Sequence, residues 1–144
     1  MTLNPDQIRE ILPQSYPFLM IDRVIDYKEN ESLTAVKNIT ANEWCFKGGL
    51  ASENIFPEIL IIEAAAQAAV VLYHVTKNKA GQPNPYYILG QTRAEFFCPV
   101  YIGDQLNIRS QATKMLITHG YMDTEIAVGK NNVAQVKIMY SVHR

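Results

Sequence analysis

Glu63 is the single carboxylate in a long apolar run of the sequence, which extends from Ile59 to His74. Gln67, Tyr73 and His74 are the other polar residues of this run. On a helix, with about 100° per residue, Glu63, Gln67 and His74 fall within ~40° of one another, on one narrow polar stripe. Burying a carboxylate is costly unless it is paired or held neutral, and a carboxyl group with a raised pKa suits general acid catalysis near neutral pH. We therefore interpret Glu63 as a candidate general acid. The alternative is that the polar side chains of the stripe are simply hydrogen-bonded within the core, and that His74 lies where the edge of the helix reaches solvent.

The elements that would position this stripe can be predicted from the rest of the pattern. The apolar run predicts a long central helix from Pro57 to about Lys77, because it is apolar on nearly every side. Asn4 and Pro5 predict the start of a short helix that ends near Leu12. Segments rich in β-branched residues and bounded by turn residues predict a hairpin over 18–40 and strands at 86–97, 104–116, 120–128 and 133–143. One long helix with about six strands predicts an α+β fold in a single domain over residues 1–144, with an antiparallel sheet wrapped on the helix.

Composition limits the partners to expect. The chain has 144 residues, 48% of them hydrophobic, and its 13 basic and 14 acidic residues give a net charge of -1, so neither nucleic acid nor a membrane is expected as a partner. Two cysteines without C-x-x-C spacing, Cys45 and Cys98, and a charged N-terminal segment predict a cytoplasmic protein. The sequence has no phosphate-binding glycine loop and no cluster with metal-ligand spacing, so we expect no metal and no nucleotide cofactor.

Four ordered segments carry a family resemblance: "ILPQSYPFLMIDRV", "KNITANEW", "IFPEILIIEAAAQAA" and "FFCPVYIGDQLNI". Together they resemble the 3-hydroxyacyl-acyl-carrier-protein dehydratases of the hot-dog fold, the FabZ type, from about residue 8 to the C-terminus. The resemblance implies a long central helix wrapped by a curved antiparallel sheet, and a dimer or higher oligomer with sites across the subunit interface. It implies dehydration of a 3-hydroxyacyl thioester carried on the phosphopantetheine arm of an acyl carrier protein, or presented as an acyl-CoA thioester, with no further cofactor.

The same resemblance assigns roles to particular residues. It implies that Glu63 is the catalytic helix acid, with Gln67 one turn later as a substrate-binding residue. Gly48 matches the first glycine of the family's Gly-His-Phe-Pro-Gly loop, and Gly49 stands where the family has its catalytic histidine. Both glycines are expected to bind substrate, but the base that removes the proton next to the thioester carbonyl is absent.

Two further departures accompany the missing histidine. Cys45 occupies a position that the family fills with an aromatic residue, and we interpret it as a packing residue because no base lies near it in the sequence. Of the cations that the family places before its Gly-Asp-Gln-Leu turn, this segment keeps one, Arg93. The segment that would dock an acidic carrier protein is therefore poorer in cations than it is in the family.

Three hypotheses for the function follow. In the first, the chain is a histidine-less dehydratase subunit that contributes Glu63 to a hetero-oligomer whose other hot-dog subunit has the histidine. In the second, it is a hot-dog thioesterase in which Glu63 activates water or attacks the thioester, since hydrolysis needs no proton abstraction at the α carbon. In the third, it is a non-catalytic acyl-binding or scaffold protein.

Overall fold

A computed structural model describes residues 1–46 and 54–144. Two helices and six strands form the fold: α1 (Pro5–Ile11), β1 (Arg23–Lys28), β2 (Ser32–Asn38), α2 (Glu58–Lys77), β3 (Tyr86–Phe96), β4 (Gln105–Met115), β5 (His119–Val128) and β6 (Asn131–His143). A short 3₁₀ helix, Trp44–Phe46, precedes residues 47–53. The two helices and the four later strands have boundaries within about two residues of those predicted, whereas the hairpin predicted over 18–40 is shorter, with β1 beginning at Arg23 and β2 ending at Asn38.

The six strands form one antiparallel sheet in the order β1-β2-β4-β5-β6-β3. Alternation of side chains gives the sheet one buried face, as in β4, where Leu106, Ile108 and Ser110 are buried and the residues between them are exposed. Buried side chains of β5 and β6 extend the same face. This face packs on α2, so the predicted α+β architecture is confirmed.

Helix α2 is the core element around which the sheet folds. Four of its alanines, Ala64, Ala65, Ala68 and Ala69, are fully buried and allow the backbone of the helix to approach the sheet closely. Within the described part of the chain, α2 alone is long and apolar enough to cross a bilayer by length and composition, but most of it is buried in the core. Its hydrophobicity is thus the hydrophobicity of a core helix.

Both helices begin at well-defined contacts. At α1, Asn4 and Gln7 form a capping box, in which each side chain accepts a hydrogen bond from the other residue's backbone N–H at 2.9 Å. Before α2, the backbone N–H of Phe56 donates to the carbonyl of Val100 at 2.7 Å, and Ile55 forms a β-bridge with Tyr101. The segment between β3 and β4 therefore fixes the point from which α2 starts.

Gly120 should be the glycine of the sheet that tolerates substitution least. A Cβ at Gly120 would lie 2.2 Å from Cζ of Tyr140, whose ring covers this position on the neighbouring strand. We expect Gly120→Ala to lower the free energy of unfolding by about 1–3 kcal/mol, because a buried ring held by its neighbours must move. Urea denaturation measures this loss.

Gly90→Ala is the matched control. A Cβ there would meet the terminal methyl of Met139 at 2.8 Å, and a flexible methionine side chain can turn away at little cost. A loss in Gly120→Ala as small as that in Gly90→Ala would show that the Tyr140 ring can move at little cost and would contradict the prediction.

Candidate active site

Gln67 holds Glu63 in position from one helical turn away. Its side chain is 1% exposed, and its Nε2 donates to Glu63 Oε1 at 2.8 Å. The same Nε2 donates to the carbonyl of Phe18 at 2.6 Å, and Gln67 Oε1 accepts from the backbone N–H of Met20 at 2.7 Å. Because the Met20 N–H can only donate, the oxygen of the amide must face it, so the nitrogen faces Glu63. The half-buried Glu63 carboxylate is thereby tied to the loop before β1.

The loop that contacts Gln67 is also tied to the 3₁₀ helix. Trp44 Nε1 donates to the carbonyl of Pro17 at 3.1 Å, and the rings of Trp44 and Phe18 have centroids 5.5 Å apart. Beside them, Lys37 and Glu43 form an almost buried ion pair with Nζ and Oε1 2.6 Å apart. The loop before β1 therefore contacts both Gln67, which holds Glu63, and the 3₁₀ helix that precedes residues 47–53.

A small cavity lies beside Glu63, between α2 and the pair of strands β3 and β6. Its volume is about 90 Å³. Its lining comprises polar residues from four parts of the chain and a few apolar ones: Gln14, Glu63, Ala66, Gln67, Val70, Tyr87, Leu89, Ile138 and Tyr140. The helix carboxylate thus opens onto a space that a small acyl group or water can fill.

Three tyrosines pack around the end of this cavity. The ring centroids of Tyr73, Tyr87 and Tyr140 lie 5.6–5.9 Å apart in edge-to-face contacts. Tyr73 donates its hydroxyl to the carbonyl of Ile117 at 2.8 Å. Burial raises the pKa of Tyr87 and that of Tyr140 far above the usual range, so both phenols are neutral hydrogen-bond donors at any physiological pH.

Of the residues singled out in the sequence, the structure brings Glu63 and Gln67 together and leaves His74 apart. His74 is half-buried in the last turns of α2 and is not among the residues that line the cavity; burial lowers its pKa. Gly48 and Gly49, predicted to bind substrate, lie outside the described residues.

Cys45 is fully buried in the 3₁₀ helix. Burial, with the nearby charge of Glu43, raises the pKa of its thiol. A buried, protonated thiol is not a nucleophile, which agrees with the interpretation of Cys45 as a packing residue.

Some residues near the cavity were not found from the sequence. Tyr87 and Tyr140 line it because β3 and β6 pair with Leu89 opposite Tyr140, and no local motif marks that register. Alternation along β6 would have identified the inward position of Tyr140, but not its partners.

The pairing of the strands also gives Arg93, the single cation noted in its segment, its neighbours. Arg93 lies directly opposite Lys137, and the other cross-strand neighbour of Lys137 is Asp123. In the described part of the chain, no three His, Cys, Asp or Glu side chains are grouped so that they could hold a metal ion.

Comparison with known proteins gives a consistent result. The model of the FabA-like domain matches residues 12–137. The 3-hydroxyacyl-[acyl-carrier-protein] dehydratase FabZ of Shewanella woodyi is 38% identical over 138 residues, which cover 96% of this chain and 91% of that protein. The protein of the same name from Actinobacillus pleuropneumoniae is 45% identical over 108 residues, 75% of this chain and 70% of its own length.

Solved structures with low sequence identity share the fold. The dehydratase heterocomplex ApeI:P from Xenorhabdus doucetiae has a chain that superposes with a TM-score of 0.82 at 14% identity, covering 95% of this chain and 91% of that one. A mutant thioesterase from Pseudomonas aeruginosa gives a TM-score of 0.73 at 14% identity, with coverages of 99% and 96%. These similarities confirm the predicted hot-dog fold.

Proposed function

The chain belongs to the FabA-like family of FabZ-type 3-hydroxyacyl-acyl-carrier-protein dehydratases, and from this premise we propose that it is the histidine-less subunit of a mixed dehydratase. In this proposal Glu63 acts in a site whose histidine comes from a second hot-dog subunit. The observation that carries it is the Glu63 carboxylate, which Gln67 holds beside a cavity. It is joined by the sequence resemblance, which assigns the position of the family's base to Gly49.

The proposed reaction divides two proton transfers between two subunits. The partner's histidine removes a proton from C2 of the 3-hydroxyacyl thioester, and the electron pair forms the C2=C3 double bond. The C3–O bond breaks, and the hydroxyl group leaves as water with the proton that Glu63 donates. The products are a 2-enoyl thioester and water, so no cofactor is needed beyond the phosphopantetheine arm of the carrier protein or the CoA that holds the acyl group.

The exposed edge of β3 supports a partner subunit next to the cavity. Among residues 1–46 and 54–144, β3 has a neighbouring strand on one side only. Tyr86, Ile88 and Leu89 are 45–58% exposed along it, more apolar surface than an isolated edge strand usually presents to water. Because Leu89 also lines the cavity, a second subunit on this edge would lie beside Glu63.

Two cations support contact with an acidic carrier protein. Arg93 and Lys137 are exposed and lie directly opposite each other on β3 and β6. Paired positive side chains on a sheet face attract an anionic partner and increase its rate of association, and here the Asp123 carboxylate on the other side of Lys137 offsets part of their charge. Such a carrier, and a cytoplasmic location, are parts of the proposal.

A complementation assay tests the proposal directly. The partner is a histidine-bearing FabZ-type dehydratase in which its own helix glutamate is replaced by alanine, so that it is inactive alone. Mixed with the present chain, it should regain dehydration of a 3-hydroxyacyl thioester, because Glu63 completes its site. Appearance of the enoyl thioester is followed by its ultraviolet absorbance, and complex formation by size-exclusion chromatography.

Two results would contradict the proposal. Dehydration by the chain alone would mean that some other group of this chain acts as the base in its own site, although position 49 is a glycine. Hydrolysis of acyl thioesters by the chain alone, lost in Glu63→Gln, would indicate the thioesterase instead.

A further inference from the structure

Segment 17–20, which precedes β1, supplies the two backbone groups that fix the side-chain amide of Gln67. The Met20 N–H donates to Gln67 Oε1 at 2.7 Å, and the Phe18 carbonyl accepts from Gln67 Nε2 at 2.6 Å. Met20 is fully buried, but the side chain of Phe18 is 49% exposed, so the first half of the segment lies near solvent. A stretch of chain with little burial is held by few contacts, and the loss of one of them loosens it.

Trp44 supplies such a contact at the exposed half of the segment. Its Nε1 donates to the carbonyl of Pro17 at 3.1 Å, and its ring lies against that of Phe18, with centroids 5.5 Å apart. The backbone at Trp44 is itself firmly held, because the preceding residue, Glu43, forms an almost buried ion pair with Lys37 of β2. The indole N–H therefore ties a loosely held segment to a firmly held one.

The same contacts control the carboxyl group of Glu63. Gln67 Nε2 can only donate, so Glu63 Oε1, 2.8 Å away, must accept. When Glu63 is protonated, this hydrogen bond leaves the acidic proton on Oε2. Without segment 17–20 in place, the amide of Gln67 would lose both backbone partners that set its orientation, and the proton of Glu63 would no longer be confined to one oxygen.

We propose that Trp44 is a positioning residue for Glu63. Its indole N–H keeps segment 17–20 against Gln67, and Gln67 keeps the acidic proton of Glu63 on the oxygen that meets the leaving hydroxyl group. The inference rests on the proposed function, since it concerns the acid of that reaction. Trp44 acts through Gln67 and not on the substrate, so its loss should slow the chemical step and leave thioester binding almost unchanged.

Trp44→Phe in the complementation assay tests this role. Phenylalanine keeps an aromatic ring beside Phe18 and removes the N–H that bonds to the Pro17 carbonyl. We expect kcat to fall about tenfold and KM to stay within about twofold, because a misplaced acid affects the transition state more than the bound substrate. Tyr73→Phe is the matched control: it also removes one hydrogen bond from an aromatic side chain to a backbone carbonyl, that of Ile117 at 2.8 Å, and kcat should stay within about twofold.

A double-mutant cycle separates the positioning of Glu63 from damage to the fold. The Glu63→Gln variant has no acidic proton to position, so adding Trp44→Phe to it should change the residual kcat by less than about twofold. A smaller folded fraction would instead lower the rate by the same factor in both backgrounds. An equal fall in both backgrounds, or no fall where Glu63 is present, would overturn the inference and leave the dehydratase role intact.

Amide hydrogen exchange tests the contact in the chain alone, without any reaction. The Met20 N–H donates to Gln67, so it should exchange about tenfold faster in Trp44→Phe, the effect of weakening one buried hydrogen bond, and at an unchanged rate in Tyr73→Phe. Unchanged exchange in Trp44→Phe would refute the inference even if the mixed complex is active. Faster exchange, combined with an unaltered chain that fails to complement, would show that the contact holds the segment but that the proposed function, and with it the role of Trp44 in the reaction, is wrong.

Discussion

In the complementation assay, Glu63→Gln is expected to lower the rate of dehydration by about 10²–10⁴-fold, the usual contribution of a positioned general acid or base. The partner has lost its own helix glutamate, so the sites that contain both catalytic groups are those that combine Glu63 with the histidine of the partner. Glutamine keeps the shape of the side chain and an oxygen that can accept from Gln67 Nε2, as Glu63 does at 2.8 Å. The variant therefore removes the proton donor and leaves the packing in place.

The fall should be in kcat, with KM little changed, because the carboxyl group acts on the leaving hydroxyl in the transition state. Glu58→Gln is the matched control: Glu58 lies on the same helix, is exposed and does not line the cavity. It should leave the rate within about twofold. If Glu63→Gln complements as well as the unaltered chain does, Glu63 has no role in proton transfer and the proposed function fails.

Much of the fold could be predicted because it depends on local pattern. The run from Ile59 to His74 is apolar on nearly all sides, and such a run predicts a helix that is surrounded by apolar groups, as α2 is in the core. The strands follow from alternation and turn residues, which are properties of neighbouring positions. The proximity of Glu63 and Gln67 follows from their spacing of four residues, which places them one turn apart on any helix.

What could not be predicted depends on contacts between distant parts of the chain. Phe18 and Met20 precede Gln67 by 49 and 47 residues, and nothing in their local pattern shows that their backbone groups meet its amide. The convergence of Tyr87 and Tyr140 depends on the register of β3 and β6, which a sequence pattern leaves open.

Gln67→Leu is expected to lower the free energy of unfolding by about 2–5 kcal/mol. Leucine fits the buried position, but it leaves the backbone N–H of Met20 and the carbonyl of Phe18 without their side-chain partner, and each such buried group costs ~1–3 kcal/mol. Urea denaturation measures the loss. Gln111→Leu is the control, since Gln111 is exposed on β4, and its effect should stay within about 0.5 kcal/mol. Similar losses in the two variants would show that the contacts of Gln67 contribute little.

Gln67→Glu keeps the shape of the side chain and introduces a charge. The stability of this variant relative to wild type should depend on pH in a predictable direction. The introduced carboxyl group would lie at the position from which the amide contacts Glu63, so the like charge raises its pKa in the folded state above the value of about 4.3 for an unperturbed glutamic acid. The folded variant then binds more protons than the unfolded chain, and its stability relative to wild type must fall as pH rises from about 4.3 through the raised pKa. Urea denaturation at intervals between pH 4.5 and 8 would show that the difference in the free energy of unfolding between wild type and Gln67→Glu widens and then levels off. A difference that does not depend on pH would mean that the two carboxyl groups do not interact.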